Sequence, residues 1–375
     1  MIRNVELNNF KSHKSTQLNF SNLTVLCGAN GVGKSSALQV LLLLRESFFD
    51  KTPFDYLDLK SNPVSVGTAN VALHQFSEND NLSFTISTDI QCMNFIFQVN
   101  DPTKTLIPKL AHTLDISLLD SEPLFGKNCQ FVSAARLGPQ QSYPKNDMVV
   151  DVYNQMSVIE GKAEHFVHFM QRKKDMDVID EICHSSEKFT DLFSQVTAWE
   201  REISYGINVI IQDIGSLGYE LRYQFNKSDG NKTDEFKASN VGFGLTYVMP
   251  VLVAVLTAPK DAILFIENPE SHLHPNGQSK LTELICLAAQ AGIQIILETH
   301  SDHIINGILV QCKNFEESSK GIAKENVSIY HFDRDEEKHC TIAKKVAIEE
   351  DGRIRYAPKG FFDQFTIDRK RLMGF

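Results

Sequence analysis

A glycine-rich segment near the N-terminus has the residue types that bind phosphate groups. Residues 28–35 read GANGVGKS and match the pattern GxxxxGK[ST] in full, between an apolar strand and a helix. Glycines let successive backbone N–H groups turn inward around phosphate oxygens, and the helix N-terminus adds partial positive charge. Lys34 can reach the β- and γ-phosphates, and the Ser35 hydroxyl can ligate magnesium. The segment therefore predicts a site for ATP and Mg²⁺. The predicted contacts are Asn30, Gly31, Val32, Gly33, Lys34, Ser35 and Ser36.

A carboxylate follows an apolar run farther along the chain. Residues 262–266 read AILFI, which is typical of a central strand buried on both faces, and Glu267 ends the run. A carboxylate at the end of such a strand, beside the phosphate loop, can hold magnesium through water. We therefore predict Glu267 as a catalytic and metal-site residue. The next acid, Glu270, is a weaker candidate for polarising water.

Two histidines lie just beyond, in the sequence Ser-His-Leu-His-Pro at residues 271–275. Two close histidines supply at most half of a tetrahedral metal site, and no cysteine lies nearby in the sequence. A loop that packs against a partner subunit is the favoured interpretation, and a metal site is the alternative.

A second apolar run, residues 293–297, ends in Glu-Thr-His-Ser at residues 298–301. Polar residues at the strand ends of a parallel sheet face the nucleotide crevice. His300 could donate a hydrogen bond to a γ-phosphate and so report its presence. The alternative is a capping cluster, in which Ser301 or Asp302 starts the next helix and His300 is incidental. The phosphate loop and the carboxylate upstream favour the functional interpretation.

The elements that must position these residues can be read from the spacing of apolar residues. Short strands are predicted at 2–10, 16–20, 23–27, 70–75 and 82–99. A helix is predicted over 34–49, with Leu38, Leu41, Leu42 and Leu44 on its buried face. The phosphate loop would thus join a strand to this helix.

The second half of the chain has a different pattern. From residue 150 to about 204, charged residues alternate with Phe, Ile and Leu at helical spacing, which predicts an insertion of two or three helices. Residues 206–225 return to strand-like alternation. Residues 240–333 then run helix, strand, helix, strand, helix, strand, which implies a mostly parallel sheet covered by helices. The predicted fold class is α/β, with an antiparallel β part and a helical insertion.

Composition limits the class of protein. The chain has 375 residues, of which 42% are apolar, and a formal net charge of −10. A chain this acidic is not a general nucleic-acid coat, although a local basic face is still open. No apolar run approaches the ~18 residues that span a bilayer, and the first ten residues have no signal-peptide core. The seven cysteines form no CxxC pair and predict free buried thiols in a reducing cytoplasm.

Two further segments resemble the ABC-type heads of structural-maintenance (SMC) and recombination ATPases. Residues 9–13, Asn-Phe-Lys-Ser-His, resemble a segment that in this family lies against the nucleotide, which implies that Lys11 and Ser12 contact ATP. Residues 239–244, Ser-Asn-Val-Gly-Phe-Gly, resemble the signature segment of a subgroup, which approaches a γ-phosphate bound by another subunit. The resemblance therefore implies a homodimer or a higher even oligomer. The implied signature contacts are Ser239, Gly242 and Gly244.

The resemblance to one subgroup extends beyond the head motifs. Residues 131–139 resemble a family-specific loop. Residues 352–354 and 358–363 resemble a terminal domain of unknown function attached to bacterial defence ATPases. Septu-type and retron-associated anti-phage ATPases have similar heads. The resemblance implies a cytoplasmic ATPase switch that acts with a separate effector protein, such as a nuclease or toxin, and has no membrane partner.

The predicted units follow these segments along the chain. They are 1–149, the N-terminal half of the ATPase head; 150–205, the helical insertion; 206–345, the C-terminal half of the head; and 346–375, a family-specific segment. The chain ends about 75 residues after His300, so we expect no room for the acidic nuclease domain of related ATPases.

The chain departs from the family at three points. Most ABC ATPases have a glutamate directly after the acid that ends this strand, which is called the Walker B acid and is Glu267 here. Asn268 stands at that position. An amide cannot act as a general base, so slow hydrolysis or a pure binding switch is predicted. A glutamine loop is not identifiable in the sequence. Ala357 stands where the resembling proteins more usually have Trp.

Two other functions compete with a defence switch. A DNA-repair or recombination ATPase would bind DNA directly through a basic surface. The sequence offers only the clusters 172–174 and 369–371, which are typical of solvated faces. A transporter subunit would carry LSGGQ and a compact head, whereas about 200 residues separate Ser35 from the signature-like segment here. The DNA-repair ATPase is the main alternative.

Overall fold

The computed structural model describes residues 1–50, 54–62, 64–110, 116–362 and 364–374. The strands are β1 (Ile2–Phe10), β2 (His13–Asn19), β3 (Leu23–Gly28), β4 (Tyr56–Asp58), β5 (Asn81–Thr88), β6 (Cys92–Gln98), β7 (Leu106–Pro108), β8 (Cys129–Val132), β9 (Ile207–Asp213), β10 (Tyr219–Phe225), β11 (Phe236–Lys237), β12 (Ile263–Glu267), β13 (Gln294–Glu298), β14 (Val327–Asp335) and β15 (Cys340–Val346). The helices are α1 (Lys34–Asp50), α2 (Ala69–Ala72), α3 (Ile116–Leu119), α4 (Phe166–Arg172), α5 (Leu192–Ile203), α6 (Phe243–Leu256), α7 (Pro275–Gln290), α8 (Asp302–Ser318) and α9 (Gln364–Leu372).

A six-stranded sheet forms the centre of the fold, with the order β15-β14-β3-β13-β12-β8. Every neighbouring pair is parallel except β14 and β15. Strands β3, β12 and β13 are buried along nearly their whole length, as expected for parallel strands covered on both faces. The prediction of a mostly parallel sheet is confirmed. The phosphate loop and the two polar strand ends therefore meet at one edge of this sheet.

The two faces of this sheet carry separate hydrophobic cores. On one face, Phe265 and Ile296 pack with α1 and with the antiparallel sheet β2-β1-β5-β6. On the other face, Leu264 and Ile295 pack with α6, α7, α8 and the helical insertion. Neighbouring residues of one strand belong to different cores because successive side chains point to opposite faces of a sheet. Both cores thus fix the positions of the strand ends.

Helix α1 follows the phosphate loop directly and is enclosed by the first of these cores. The four leucines predicted on its buried face are buried, and so are Val40 and Leu43. An apolar run of this kind is expected to lie inside a protein. Because most residues from Leu38 to Leu44 are buried, the N-terminal turn of α1 gives the phosphate loop a fixed end.

The segment between residues 150 and 205 is helical, as predicted. It contains α4 and α5, preceded by a short π-helix at Met148–Val152. Asp191 caps α5 by accepting a hydrogen bond from the N–H of Ser194 (2.9 Å). The apolar side chains of α4 and α5 join the core of the second sheet face. The antiparallel strands β9, β10 and β11 follow, which confirms the strand-like pattern at 206–225.

The strand predicted at residues 70–75 is wrong. The N–H of Ala72 donates to the carbonyl oxygen of Thr68 (3.1 Å), and a single turn of helix, α2, results. Leu73 alone forms a β-bridge, with Phe10. A run this short does not distinguish one helical turn from a strand, so contacts with β1 decide its conformation.

Two other strand predictions need new boundaries. The run at 82–99 is a hairpin of two antiparallel strands, β5 and β6, joined by residues 89–91. Strand β2 begins at His13, because the chain reverses at once after Phe10 and pairs with β1. The tight hairpin was not visible in the sequence, since it has no glycine at the turn.

The C-terminal segment packs against the six-stranded sheet. Phe361 is buried, and its ring contacts those of His331 and Phe362. Asp363, part of the motif at 358–363, lies outside the described residues.

The seven cysteines are free thiols; four of them are buried. In the described part of the chain, no helix is long and apolar enough to cross a membrane.

Candidate nucleotide-binding site

The phosphate loop connects β3 to α1. Gly28, Gly31 and Gly33 have φ values of 133°, 77° and 99°, a region that residues with a side chain rarely adopt. A Cβ at Gly28 would lie 2.3 Å from the carbonyl oxygen of Phe332 in β14. The loop therefore requires glycine for its backbone turns and for its close contact with the neighbouring strand.

The β1–β2 hairpin and β15 hold the loop from one side. The Nε2 atom of His13 lies 2.9 Å from the carbonyl oxygen of Gly33, and burial lowers the pKa of His13 to about 4. The ring is thus neutral near pH 7. The Thr341 hydroxyl contacts the carbonyl oxygen of Val32 (2.9 Å) and the hydroxyl of Ser12 (2.7 Å). These contacts fix the loop before any nucleotide arrives.

A cavity of about 330 Å³ opens beside the loop, at the carboxyl ends of the strands. Its lining brings together the phosphate loop, Glu267, Asn268 and His300, which the sequence predicts as site residues. The lining residues are Ser12, Asn30, Gly31, Gly33, Lys34, Ser35, Ser36, Ala134, Glu267, Asn268, Glu298 and His300. No glutamine is among them in the described part of the chain.

Of the contacts predicted in the β1–β2 turn and the phosphate loop, two lie outside the cavity, and two lining residues were not predicted. Val32 is buried under the loop. The ammonium group of Lys11 donates to Oε1 of Gln39 (2.6 Å) instead of reaching the cavity. Ala134 and Glu298 also line the cavity, and neither of them was predicted as a site residue.

Lys34 and Ser35 occupy the base of the cavity. The Lys34 ammonium group donates to the carbonyl oxygens of Gly28 (3.1 Å) and Ala29 (2.6 Å) and lies 3.9 Å from the Glu298 carboxylate. Burial lowers the pKa of Lys34, and the Glu298 carboxylate opposes that shift. The Ser35 hydroxyl donates to Oε1 of Glu298 (3.0 Å). Both groups are thus held where phosphate oxygens would enter.

Glu267 and Asn268 lie at the end of β12. Oε2 of Glu267 accepts a hydrogen bond from the N–H of Ala134 (3.0 Å), and burial raises the pKa of Glu267. Asn268 has a φ of 43°, in the left-handed region that asparagine accepts more readily than most residues. Its N–H donates to the carbonyl oxygen of Glu298 (2.8 Å). Asparagine at this position therefore has a structural role in the backbone turn.

Arg136 is a buried residue that was not predicted as part of the site. Its guanidinium group donates to the carbonyl oxygens of Tyr247 (2.8 Å), Glu267 (2.8 Å) and Asn268 (2.9 Å). Burial lowers the pKa of Arg136 to about 10, so it remains a cation near pH 7. It ties the loop after β8 to α6 and to the end of β12. The only sequence signal is one arginine in a loop of small residues, 133–138.

His300 lies at the cavity, one residue before the cap of α8. Burial lowers the pKa of its imidazole. The backbone N–H of His300 donates to Oε1 of Glu270 (3.0 Å). Ser301 caps α8 by accepting hydrogen bonds from the N–H groups of His303 and Ile304. Ser301 is thus the residue that caps α8, while His300 lines the cavity.

Glu270 does not line the cavity, and its contact with His300 indicates a positioning role. We expect Glu270→Ala to lower ATP turnover about tenfold with little change in ATP affinity, because the His300 backbone loses its acceptor. Glu270→Gln keeps an acceptor oxygen and should stay near the wild-type rate. Steady-state phosphate release and calorimetry measure the two quantities. An equally large loss of turnover in the glutamine variant would assign proton transfer to Glu270 instead.

His272 and His274 have structural partners. The His272 ring contacts the rings of Phe243 and Tyr247, with centroid distances of 4.7 and 4.9 Å. Nδ1 of His274 accepts a hydrogen bond from the N–H of Asn276 at the start of α7 (3.4 Å). Across the described ranges, no three His, Cys, Asp or Glu side chains are grouped so as to hold a metal ion. Through His272, the loop after β12 packs against α6 of the same chain.

The signature-like segment opens α6 away from the cavity. Gly242 is the N-cap of α6, and a Cβ there would meet no atom within 4 Å. Gly244 approaches the loop after β12 so closely that a Cβ would lie 2.3 Å from the carbonyl oxygen of His272. Within the described residues, Ser239, Gly242 and Gly244 all lie outside the cavity lining. The start of α6 can bind an anion, as helix N-termini do.

The oxygen donors at the cavity fit a hard divalent cation. The Ser35 hydroxyl and the Glu267 carboxylate line the same cavity, together with the Glu298 carboxylate. Mg²⁺ prefers oxygen ligands and usually takes one or two carboxylates, with nucleotide phosphates and water completing its shell. These residues can therefore supply the protein part of a magnesium site.

A parallel sheet with a phosphate loop after β3, a carboxylate at the end of β12 and a histidine after β13 defines a P-loop ATPase head of the ABC type. A family model described as "AAA ATPase domain" matches residues 1–197, more than half of the chain. The chain belongs to this ATPase family. A model described as "AAA domain, putative AbiEii toxin, Type IV TA system" matches residues 169–306, and "Protein of unknown function (DUF3696)" matches residues 322–372. No curated protein matches the chain.

Solved SMC heads share this fold. A crystal structure of the SmcHead bound to the C-winged helix domain of ScpA aligns with a TM-score of 0.54 and 16% identity, over 92% of this chain and 98% of that chain. An Smc head domain with an extended coiled coil, bound to the C-terminal domain of ScpA derived from Pyrococcus furiosus, aligns with a TM-score of 0.53 and 13% identity, over 99% of both chains. At such low identity, the likeness shows the fold alone.

Proposed function

We propose that this chain is an ATP-dependent dimeric switch with two composite sites. One observation carries the proposal: the cavity contains the phosphate loop, Glu267 and His300, whereas the signature-like segment lies outside it. The start of α6 is open at Gly242 and can approach a γ-phosphate from another molecule. A two-fold pair, with the cavity of each chain facing α6 of the other, would complete both sites.

Each residue then has a defined task. Lys34 and the loop N–H groups bind the β- and γ-phosphates, and Ser35 and Glu267 hold the magnesium ion, which when bound neutralises phosphate charge. His300 contacts the γ-phosphate. Asn268 can orient a water molecule but cannot take its proton, so hydrolysis is slow and the ATP-bound dimer is long-lived.

We propose a role in defence against phage from kinship and not from the site. The match of residues 169–306 to the AbiEii-type AAA model supports it. The two solved SMC heads each contain a domain of a second protein, ScpA. We propose that the chain is the sensor subunit of a cytoplasmic defence complex and that a nuclease or toxin partner is the effector.

Direct DNA binding has less support from the structure. In the basic cluster at 172–174, Arg172 forms ion pairs with Asp151 and Asp147, which reduces the positive charge available to phosphates. The cluster at 369–371 lies on α9, a short exposed helix. Each cluster is only three residues long, whereas a DNA-binding surface neutralises several phosphates along the duplex.

The dimer is tested by mixing two inactive variants. Gly242→Asp should fold normally, because a side chain there meets no atom, but it places a negative charge where a γ-phosphate would bind. We expect Lys34→Ala and Gly242→Asp each to abolish turnover. An equal mixture should recover about a quarter of the wild-type phosphate release, since half of the dimers have one intact site. Mixed dimers that form but stay inactive would contradict action between subunits.

A further inference from the structure

We infer that Glu298 is a magnesium-site carboxylate that acts together with Ser35 and Glu267. This rests on the proposed function, because the ion would enter the site with ATP. The inference is carried by the position of Glu298, by its contact with Ser35, and by one buried oxygen that has no partner.

The position of Glu298 follows from the strand order. Strand β13 lies between β3, which leads into the phosphate loop, and β12, which ends in Glu267. The last residue of β13, Glu298, pairs with Glu267 on one side and with Leu26 on the other. Side chains that pair across parallel strands point to the same face of the sheet. Glu298 is therefore placed between the phosphate loop and Glu267.

The contact with Ser35 has the geometry of two adjacent metal ligands. Oε1 of Glu298 lies 3.0 Å from the Ser35 hydroxyl oxygen. Two neighbouring oxygens of an octahedral Mg²⁺ shell, each about 2.0–2.1 Å from the ion, are about 3 Å apart. The hydroxyl now donates its hydrogen to Glu298; when that hydrogen turns away, both oxygens present lone pairs to one point.

The second oxygen of Glu298 lacks a hydrogen-bond partner. Oε2 is buried, the side chain is only 7% exposed, and no donor contacts this atom among the described residues. A buried acceptor without a partner is costly and marks a site that another group completes. A cation or one of its bound waters would satisfy it.

Charge at the cavity also favours a cation. The carboxylates of Glu298 and Glu267 end neighbouring strands and line the same cavity. The one ion-pair partner of Glu298 in the described structure is Lys34, at 3.9 Å. Once phosphates attract the Lys34 ammonium group, Glu298 and Glu267 share a buried region with additional negative charge. A divalent cation removes that repulsion.

The competing role is that of the general base that Asn268 cannot supply. A base must touch the water that attacks the γ-phosphorus, roughly in line with the leaving oxygen. Glu298 instead contacts Ser35, in the first turn of α1, on the side where the phosphate loop holds the metal. The contact therefore favours metal binding over proton abstraction.

The test is Mn²⁺ binding followed by electron paramagnetic resonance, with a saturating non-hydrolysable ATP analogue. We expect Glu298→Gln to bind Mn²⁺ about tenfold or more weakly than the wild type, because one charged ligand becomes neutral. Glu298→Asp keeps the charge and should bind more tightly than the glutamine variant. Glu336→Gln, in the exposed turn between β14 and β15, is the matched control and should equal the wild type. Analogue binding in EDTA shows that each variant is folded.

The outcomes separate the two proposals. Equal Mn²⁺ affinity for wild type and Glu298→Gln overturns the role of Glu298 in the metal site but leaves the proposed switch unaffected. The same equality combined with lost turnover would make Glu298 the base and also overturns the inference. A wild-type protein that binds no Mn²⁺ with the analogue overturns the proposed switch together with this site.

Discussion

Lys34→Ala should weaken ATP binding about a hundredfold. A hydrogen bond to a charged group contributes about 1.5–3 kcal/mol, and each ~1.4 kcal/mol changes affinity tenfold. The structure strengthens this expectation, because the Lys34 ammonium group lies at the base of the cavity, 2.6 Å from the Ala29 carbonyl oxygen and 3.9 Å from Glu298. Without this cation, the phosphates would also face the carboxylate of Glu298.

Calorimetry with Mg²⁺-ATP measures the loss, and two controls isolate it. Lys14, in β2, has an exposed ammonium group that pairs with Glu78. The Lys14→Ala variant removes this group, and its ATP affinity should equal that of the wild type. Thermal unfolding without nucleotide shows whether Lys34→Ala still folds. Equal ATP affinity in the folded Lys34 variant and the wild type would show that this loop does not bind phosphate as proposed.

The sequence predicts best where chemistry depends on consecutive residues. The phosphate loop needs glycine at positions 28, 31 and 33, and each adopts a backbone conformation that explains the residue type. The buried strands β12 and β13 are equally visible, since a continuous apolar run followed by a polar residue is typical of a parallel strand. The carboxyl edge that carries Glu267 and His300 could therefore be predicted without coordinates.

Contacts between distant segments could not be predicted. Glu298 touches Ser35, which is 263 residues away in the chain, and Arg136 donates to carbonyl oxygens at the end of β12. Nothing near Glu298 in the sequence marks it, because a glutamate after an apolar strand also suits a helix cap. Only the strand order, which places β13 between β3 and β12, gives Glu298 a position beside the phosphate loop.

Asn268 shows how the structure changes the meaning of a residue. From the sequence it is a missing general base. In the structure it is also a turn residue, with a φ of 43° and its backbone bound on both sides. Its N–H donates to the carbonyl oxygen of Glu298 (2.8 Å), and its carbonyl oxygen accepts from the guanidinium group of Arg136 (2.9 Å). A substituted side chain at this position would thus project into the cavity from a fixed backbone.

Asn268→Glu should therefore raise ATP turnover, at a small cost in stability. The left-handed conformation costs a residue such as glutamate about 1–2 kcal/mol. General-base catalysis contributes roughly 10²–10⁴-fold, so a net gain of at least about tenfold is expected, with a shorter life for the ATP-bound dimer. Asn268→Gln is the matched control, because it has the same length and the same backbone strain but no basic group.

Steady-state phosphate release from the three proteins decides between a slow switch and an ordinary ATPase. The glutamate variant should be fastest, and the glutamine variant should be no faster than the wild type. If the wild type already turns over several ATP per second, or if the two variants have equal rates, the base lies elsewhere. That result would contradict the proposal of a long-lived ATP-bound dimer. The proposal depends on Asn268 being unable to take the proton of the attacking water.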